Sequence, residues 1–505
     1  MQVSNSRIAK NTLVLYIRQI IILFVNLYSV RLLLHTLGVV DYGIYGVVGG
    51  IVSFFSFLGT TMASATQRFF SYALGEKNYE KLKTVFSVNC LIYTGIAVVA
   101  FILLETVGLW FVKHRLEIPH GREAAVFWVY HYSVLTFLTT IFSTPFMAII
   151  IAHEDMRAYA LISVADALMK LGVVLLLLCL PWDKLELYGF LYFLESFIVT
   201  AIYVITTTKK YEECQFKIFY WDKATLKEIL GFTGWTLFGQ CSLVARNEAI
   251  LILLNQMFNP VVVAARTIAT NVTNQIAVFS NNFNMGLYPP IVKLYASNKK
   301  EEMYKLIFNG SKATFFLIWV FALPMIFEMT NLLTIWLGKP PGDTALFTRL
   351  ALVEVLVTST ALPLTTAARA PGKVKIYELS LGSLQMGIFF ISWIALKLGS
   401  PIYAIYIVAI IINMLMFLLR LILLKAIGLP IRLFCIKVIL PVLMVAILST
   451  IVTFIIHHIL PVGFLYSCFS ICLSMIFSSI CMYYIGIDQS MRQKALNMVK
   501  AKLRI

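Results

Sequence analysis

Charge is scarce in this chain. Only 13% of its residues are Asp, Glu, Lys or Arg, about half the share found in soluble proteins. Hydrophobic residues make up 60%, and the mean hydropathy is +0.86. That balance excludes a soluble enzyme, a disordered chain and a secreted disulfide scaffold. Cysteines at metal or redox spacing are missing as well. The eight cysteines form no CxxC, and Cys90, Cys179, Cys241, Cys468, Cys472 and Cys481 fall inside apolar runs. Neither a zinc site nor a redox pair is indicated. There is no GxxxxGK[ST], so an intrinsic ATP pump is not expected, and HExxH, GxSxG and DxD are absent too. The one adjacent histidine pair, His457–His458, ends an apolar run, where placement at the membrane interface is favoured over metal ligation. Nothing assembles into a catalytic site, and no metal or cofactor is expected.

What is present is apolar length. A bilayer-spanning helix needs about 20 apolar residues, and fourteen such stretches are readable. They lie at about 11–34, 43–66, 84–112, 125–150, 157–180, 187–207, 228–254, 261–288, 307–330, 344–366, 376–397, 403–425, 438–460 and 464–486. The fold class is therefore all-α, a polytopic membrane protein. An even number of spans puts both termini on one side. With the termini in the cytoplasm, the outer loops hold few of the 41 Lys and Arg, namely Lys113, Arg115, Arg122, Lys184, Lys339 and Lys397. Basic residues favour the cytoplasmic side, which fixes this orientation. The same distribution explains the net charge of +17 without nucleic acid, since the basic residues are shared among many short loops. The loops are too short for a soluble domain. The tail Asp488–Ile505 is basic and polar, and a solvated tail is favoured over one lying on the anionic leaflet.

A faint internal echo suggests a duplication. When Phe70–Asn89 is laid on Val292–Ser311, Lys77, Glu80, Lys83 and Phe86 match Lys299, Glu302, Lys305 and Phe308. The same register sets Arg18 against Gln240. Helices one to six then repeat as seven to twelve, giving lobes over 1–225 and 226–430. Residues 431–505 add two further helices and the tail.

Charged and amide side chains inside spans are expensive in hydrocarbon and usually face a wet cavity or a partner. Arg18 and Asn26 share a face of helix one; Arg18 either lines a cavity or snorkels to the headgroups. Arg31 snorkels, pairs with Asp41 or contacts the substrate. In helix seven Arg246 lies deep, Gln240 and Asn247 share a face, and Glu248 points nearly opposite Arg246, so the two cannot pair. Helix eight carries Arg266, Thr270, Thr273, Asn274, Asn281 and Asn284 within an arc of about 100°. Lumen lining is favoured there over interhelical hydrogen bonding, and Pro289 and Pro290 are expected to end the helix. Asp166 and Lys170, four apart, suit a local ion pair or an ion-coupling site. Glu195 and Glu354 are isolated acids that either carry a coupling proton or sit protonated against a neighbour. The small residues Gly46, Gly49, Gly50, Ser53, Ser56, Gly59 and Ala63 of helix two point to close helix packing. Pro145, Pro324, Pro363 and Pro441 are candidate kinks.

Two stretches have a family look. YSVRLLLHTLGVVDYGIYGVV (Tyr28–Val48) and ATQRFFSYALGEKN (Ala65–Asn78) resemble the bacterial Wzx-type polysaccharide flippases of the multidrug/oligosaccharidyl-lipid/polysaccharide exporter superfamily. The twelve-plus-two layout is similar over the whole chain. The resemblance implies two six-helix lobes around a central cavity, in the bacterial inner membrane. It implies alternating access that carries an undecaprenyl-diphosphate-linked oligosaccharide to the outer leaflet. Its partners are then this lipid-linked oligosaccharide, membrane lipids and other membrane proteins of polysaccharide assembly. Arg18, Arg246 and Arg266 are the candidates by position for its cationic lumen. The alternative on the same architecture is a cation-coupled drug or metabolite antiporter.

Overall fold

The computed structural model describes residues 5–53, 56–115, 121–215, 219–258, 260–338, 340–461, 463–487 and 492. The tail beyond 492 and the side chains of Arg31, Gly46, Gly50, Ser53 and Ser56 lie outside the described residues. Helices account for nearly all of the rest.

The helices are α1 (Asn5–Ser53), α2 (Ser56–Glu76), α3 (Tyr79–Leu103), α4 (Leu109–Arg115), α5 (Glu123–Ala152), α6 (Met156–Cys179) and α7 (Lys184–Lys210). They continue as α8 (Lys223–Met257), α9 (Pro260–Ala296), α10 (Lys300–Leu337), α11 (Thr344–Ser359), α12 (Leu362–Arg369), α13 (Lys375–Lys397) and α14 (Ala404–Leu424). The last are α15 (Ile431–Phe434), α16 (Leu440–Ile459) and α17 (Phe464–Cys481). Among the described residues, ten helices or helix runs are long and apolar enough to cross a membrane. Their outer faces are bare Leu, Ile, Phe and Trp, as in Leu161, Ile411 and Phe454. Side chains of this kind are stable only against lipid.

The chain divides into two compact units. The first is Met1–Gln240 with Val292–Asn298; the second is Cys241–Ile291 with Lys299–Ile505.

Several expectations change on contact with the structure. Helices one and two are not joined by a loop at 35–42. The chain turns at Gly38 alone (φ 76°, ψ 169°) inside α1. A positive φ of this size suits glycine, which has no Cβ to clash. The second span then extends through α2 to Glu76, ten residues past its expected end. Pro289 and Pro290 do not end their helix. α9 runs on to Ala296 with both prolines inside. Each lacks an N–H, so the Met285 and Gly286 carbonyls lose their helical donors, but both rings are buried and packing holds the helical path. At the described glycines of helix two, Gly49 and Gly59, close packing is not seen either. A Cβ at Gly49 or Gly59 would meet nothing within 4 Å, because these positions face open space rather than another helix.

The expected kinks are of two sorts. Pro145 and Pro324 stay inside α5 and α10. Pro363 instead stands in the first turn of α12, where a missing N–H costs nothing, and Pro441 lies just past the π turn Cys435–Ile439, inside the continuous helical run Ile431–Ile459. Asp41 finds Arg122, whose guanidinium also reaches Asp183. This three-way tie joins α1 to the starts of α5 and α7. Burial raises the Asp183 carboxyl, but N–H donors from Glu186 and Leu185 together with Arg122 outweigh it and hold it below its ordinary range.

Three single π turns interrupt spans: Leu104–Gly108, Cys435–Ile439 and Met482–Gly486. At the first, the Tyr130 hydroxyl donates to the Leu104 carbonyl at 2.5 Å. A methyl group on Gly108 would run into that hydroxyl. Gly108→Ala is expected to lower stability by about 1–3 kcal/mol, measured as thermal aggregation in detergent. Adding Tyr130→Phe should restore most of the loss; equal instability of the single and double variants would refute the contact.

Candidate functional site

In the second unit, α8, α9, α11 and α14 bring together a charged cluster. Arg246 of α8 is buried and donates through Nη1 to Glu354 Oε1 of α11 at 3.0 Å. Its Nε and Nη2 both reach Asn247 Oδ1, at 3.2 and 2.8 Å. Asn413 Nδ2 of α14 donates to the same Glu354 oxygen at 3.1 Å and to the Ala409 carbonyl at 2.9 Å. Arg266 of α9, 9% exposed, lies over the Tyr406 ring with its guanidinium 5.3 Å from the centroid. Arg266 also interacts electrostatically with Arg246 and Glu354. Two guanidiniums thus face one carboxylate, and the cluster carries an excess of positive charge. The cation–π contact stabilises the buried guanidinium of Arg266.

The polar stripe of α9 divides by angle. Arg266, Thr273 and Asn284 form its inner edge and are buried or half-buried, while Thr270, Asn274 and Asn281 form its outer edge and are exposed. Thr270 and Thr273 satisfy their hydroxyls on the Arg266 and Ala269 carbonyls, both at 3.0 Å. Asn274 and Asn281 present amides at the surface of the unit, about two and about four helix turns from Arg266.

The first unit holds a separate polar group. Arg18 is buried, 4.9 Å from the Tyr159 ring, and reaches Gln19 Oε1 at 3.3 Å. The expected Asp166–Lys170 ion pair is present at 2.9 Å. Lys170 also lies 5.6 Å from the Tyr192 ring. Glu195 of α7 sits beside this pair; it is 3% exposed, and both carboxylate oxygens lack a hydrogen-bond partner among the described residues. Asn26 is exposed and Gln240 half-buried. Arg18, Asn26, Gln240, Asp166, Lys170 and Glu195 therefore belong to the first unit; Arg246, Asn247, Arg266, Thr270, Asn274, Asn281 and Glu354 belong to the second.

Sequence reasoning missed Asn413 and Tyr406, which lie in a strongly apolar run whose one charge, Arg420, is near its far end. It also left Glu354 without a partner, though Arg246 holds it. His457 was placed at the interface on its own; its Nδ1 lies 2.7 Å from Glu328 Oε1, and Ser467 and Asn331 donate to Glu328 Oε2 at 2.7 and 2.9 Å. An apolar groove of about 630 Å³ runs along α10, α11, α14 and α16, past Trp319, Leu356, Phe417 and Val442. Its walls suit hydrocarbon, not a charged head group. Among the described residues no three His, Cys, Asp or Glu are placed to hold a metal ion.

Residues 8–295 match the family model described as polysaccharide biosynthesis protein. The chain belongs to that family. A search of curated proteins finds no match. Solved structures show what fold this polysaccharide biosynthesis family member has. It is similar to a MATE transporter in the bent conformation, with TM-score 0.71, 14% identity, and 84% of this chain and 96% of that one covered. It is similar to an outward-facing multidrug resistance MATE family transporter of the MOP superfamily, with TM-score 0.68, 14% identity, and 82% and 93% covered. The Vibrio cholerae MATE transporter VcmN in the bent form gives TM-score 0.65, 13% identity, and 84% and 98% covered. At these identities the likeness is one of fold. The protein is a polytopic membrane protein of the polysaccharide biosynthesis family, and its fold is like that of the MATE transporters.

Proposed function

We propose that the protein flips an undecaprenyl-diphosphate-linked oligosaccharide, a surface polysaccharide repeat unit, from the inner to the outer leaflet of the bacterial inner membrane. It does so by alternating access of its lobes, 1–225 and 226–430, with 431–505 as an appendage and both termini in the cytoplasm. The carrying observation is the pair of buried guanidiniums, Arg246 and Arg266, facing the single carboxylate Glu354. A sugar diphosphate does not cross hydrocarbon unaided. The excess positive charge of this cluster offers it replacement for lost hydration, and the exposed amides of Asn274 and Asn281 continue the polar face further along α9. Arginine suits a phosphate because its planar fork donates two parallel bonds. Membership in a polysaccharide biosynthesis family supports an anionic glycan cargo over an organic cation.

The test is Arg246→Ala with Arg266→Ala in a deletion strain. The expected result is normal membrane insertion, lost surface polysaccharide and lipid-linked repeat units stranded on the cytoplasmic leaflet. Unchanged export from the inserted double variant would rule out the mechanism.

One observation favours the antiporter reading. Glu195, buried beside Asp166 and Lys170, is the kind of acid a cation-coupled exporter needs. Under the flippase reading the same group is the site of ion coupling. Drug sensitivity of the deletion strain, with polysaccharide intact, would decide for the antiporter.

A further inference from the structure

Arg246 does not wait with an empty fork. Its Nη1 is occupied by Glu354, and Asn413 donates to the same carboxylate oxygen. A diphosphate arriving at Arg246 therefore meets a carboxylate already in place. Two anions crowded onto one guanidinium repel strongly where the effective dielectric is well below that of water. Either the cargo stays away from Arg246 or Glu354 gives up its charge.

We propose that Glu354 is an internal counter-ion that takes up a proton as the cargo's phosphate replaces it on Arg246. The inference rests on the anionic-cargo reading above. The exchange is balanced: one proton passes from water to Glu354, the guanidinium–carboxylate contact opens, and a guanidinium–phosphate contact forms. No covalent bond other than the carboxyl O–H is made. Asn413 Nδ2 keeps a hydrogen bond to the carboxyl oxygen in both states, so the neutral acid remains partnered. Release of the cargo reverses each step, and the returning carboxylate displaces the phosphate.

The surroundings of Glu354 suit this role. From α8 it faces Arg246, from α9 Arg266, and from α14 Asn413 and Tyr406. On its own helix, Arg349 turns away and donates to the Ile326 carbonyl and the Thr330 hydroxyl of α10. From α10, Glu328 turns instead to His457 and Ser467. Arg266 remains over Tyr406 throughout, so part of the positive charge stays when Arg246 changes partner. Linkage makes the coupling reciprocal: if a bound anion favours the proton, the proton favours the anion by the same factor.

The test uses the purified full chain in detergent with sulfate as probe, because sulfate keeps its double charge between pH 5 and 8. Sulfate binding by the unmodified protein should tighten as pH falls, with a limiting slope of about tenfold per pH unit. Glu354→Gln keeps the shape and the Asn413 contact; it should bind at least as tightly as the unmodified protein does at pH 5, with no pH slope. Glu354→Asp should keep the slope. A slope that survives in Glu354→Gln, or weaker binding by that variant at pH 8, overturns the counter-ion role. If binding still requires Arg246, the anionic-cargo reading survives that result. Sulfate and pyrophosphate binding that ignores Arg246→Ala at every pH overturns both.

Discussion

Glu378→Ala is expected to destabilise the protein by about 3–5 kcal/mol. Arg369, at the end of α12, donates through Nε to Glu378 Oε1 of α13 at 2.8 Å, and the two side chains are only 12% and 5% exposed. Removing the acid leaves a guanidinium buried with its main partner gone. The neighbouring chain from Arg420 Nε to Tyr377 Oη at 3.2 Å, and from Tyr377 to Thr365 Oγ1 at 3.0 Å, ties the same helices to α14. Loss of the ion pair should loosen this corner as a whole. Thermal unfolding of the detergent-purified chain measures the effect. Arg369→Met combined with Glu378→Leu should recover most of it, because an apolar pair of similar volume leaves no buried charge. A single variant as stable as the parent would show that the pair is not isolated from solvent.

The second large effect is expected at Gly75. A Cβ there would stand 2.8 Å from the Lys293 Cα, the Lys293 carbonyl oxygen and the Ala296 Cβ. Two of these atoms are backbone, so no side chain can rotate away. Gly75→Ala must push the end of α2 from the end of α9, at an overpacking cost of about 1–3 kcal/mol. The strained end of α9 is also tied to the turn between α5 and α6 through Lys293 and Glu154, 2.7 Å apart and mostly buried. Export should fall further than abundance does, measured as surface polysaccharide per inserted protein. Gly75→Ser should behave like the alanine variant, since the clash begins at Cβ. Normal export and normal melting of Gly75→Ala would mean the helices are spaced more widely than described.

The spans were legible because twenty apolar residues in a row have one stable solution in a bilayer. Local pairs were legible for a related reason: Asp166 and Lys170, four apart, must meet on one helix face. The turn at Gly38 was not, because a glycine in an apolar run has many uses and only the backbone shows which. The course of α9 past Pro289 and Pro290 depended on packing around the rings, which no local pattern records. The cluster around Arg246 shows the same limit more sharply. Its depth marked it as needing a partner, yet Glu354 lies 108 residues on, and Asn413 and Tyr406 come from a helix that reads as plain membrane anchor. The stripe on α9 was visible as an arc, but which edge turned inward depended on the neighbours.

The π turns have an evolutionary meaning. Each takes up one residue more than the helix around it needs, so the segment beyond is rotated by about 100° relative to an unbroken span. A one-codon deletion at Thr106 would swing Trp110 and Phe111, both now exposed, by that angle toward the bundle. Such places are where a lineage can lengthen a membrane helix by a single amino acid and keep every flanking contact in phase.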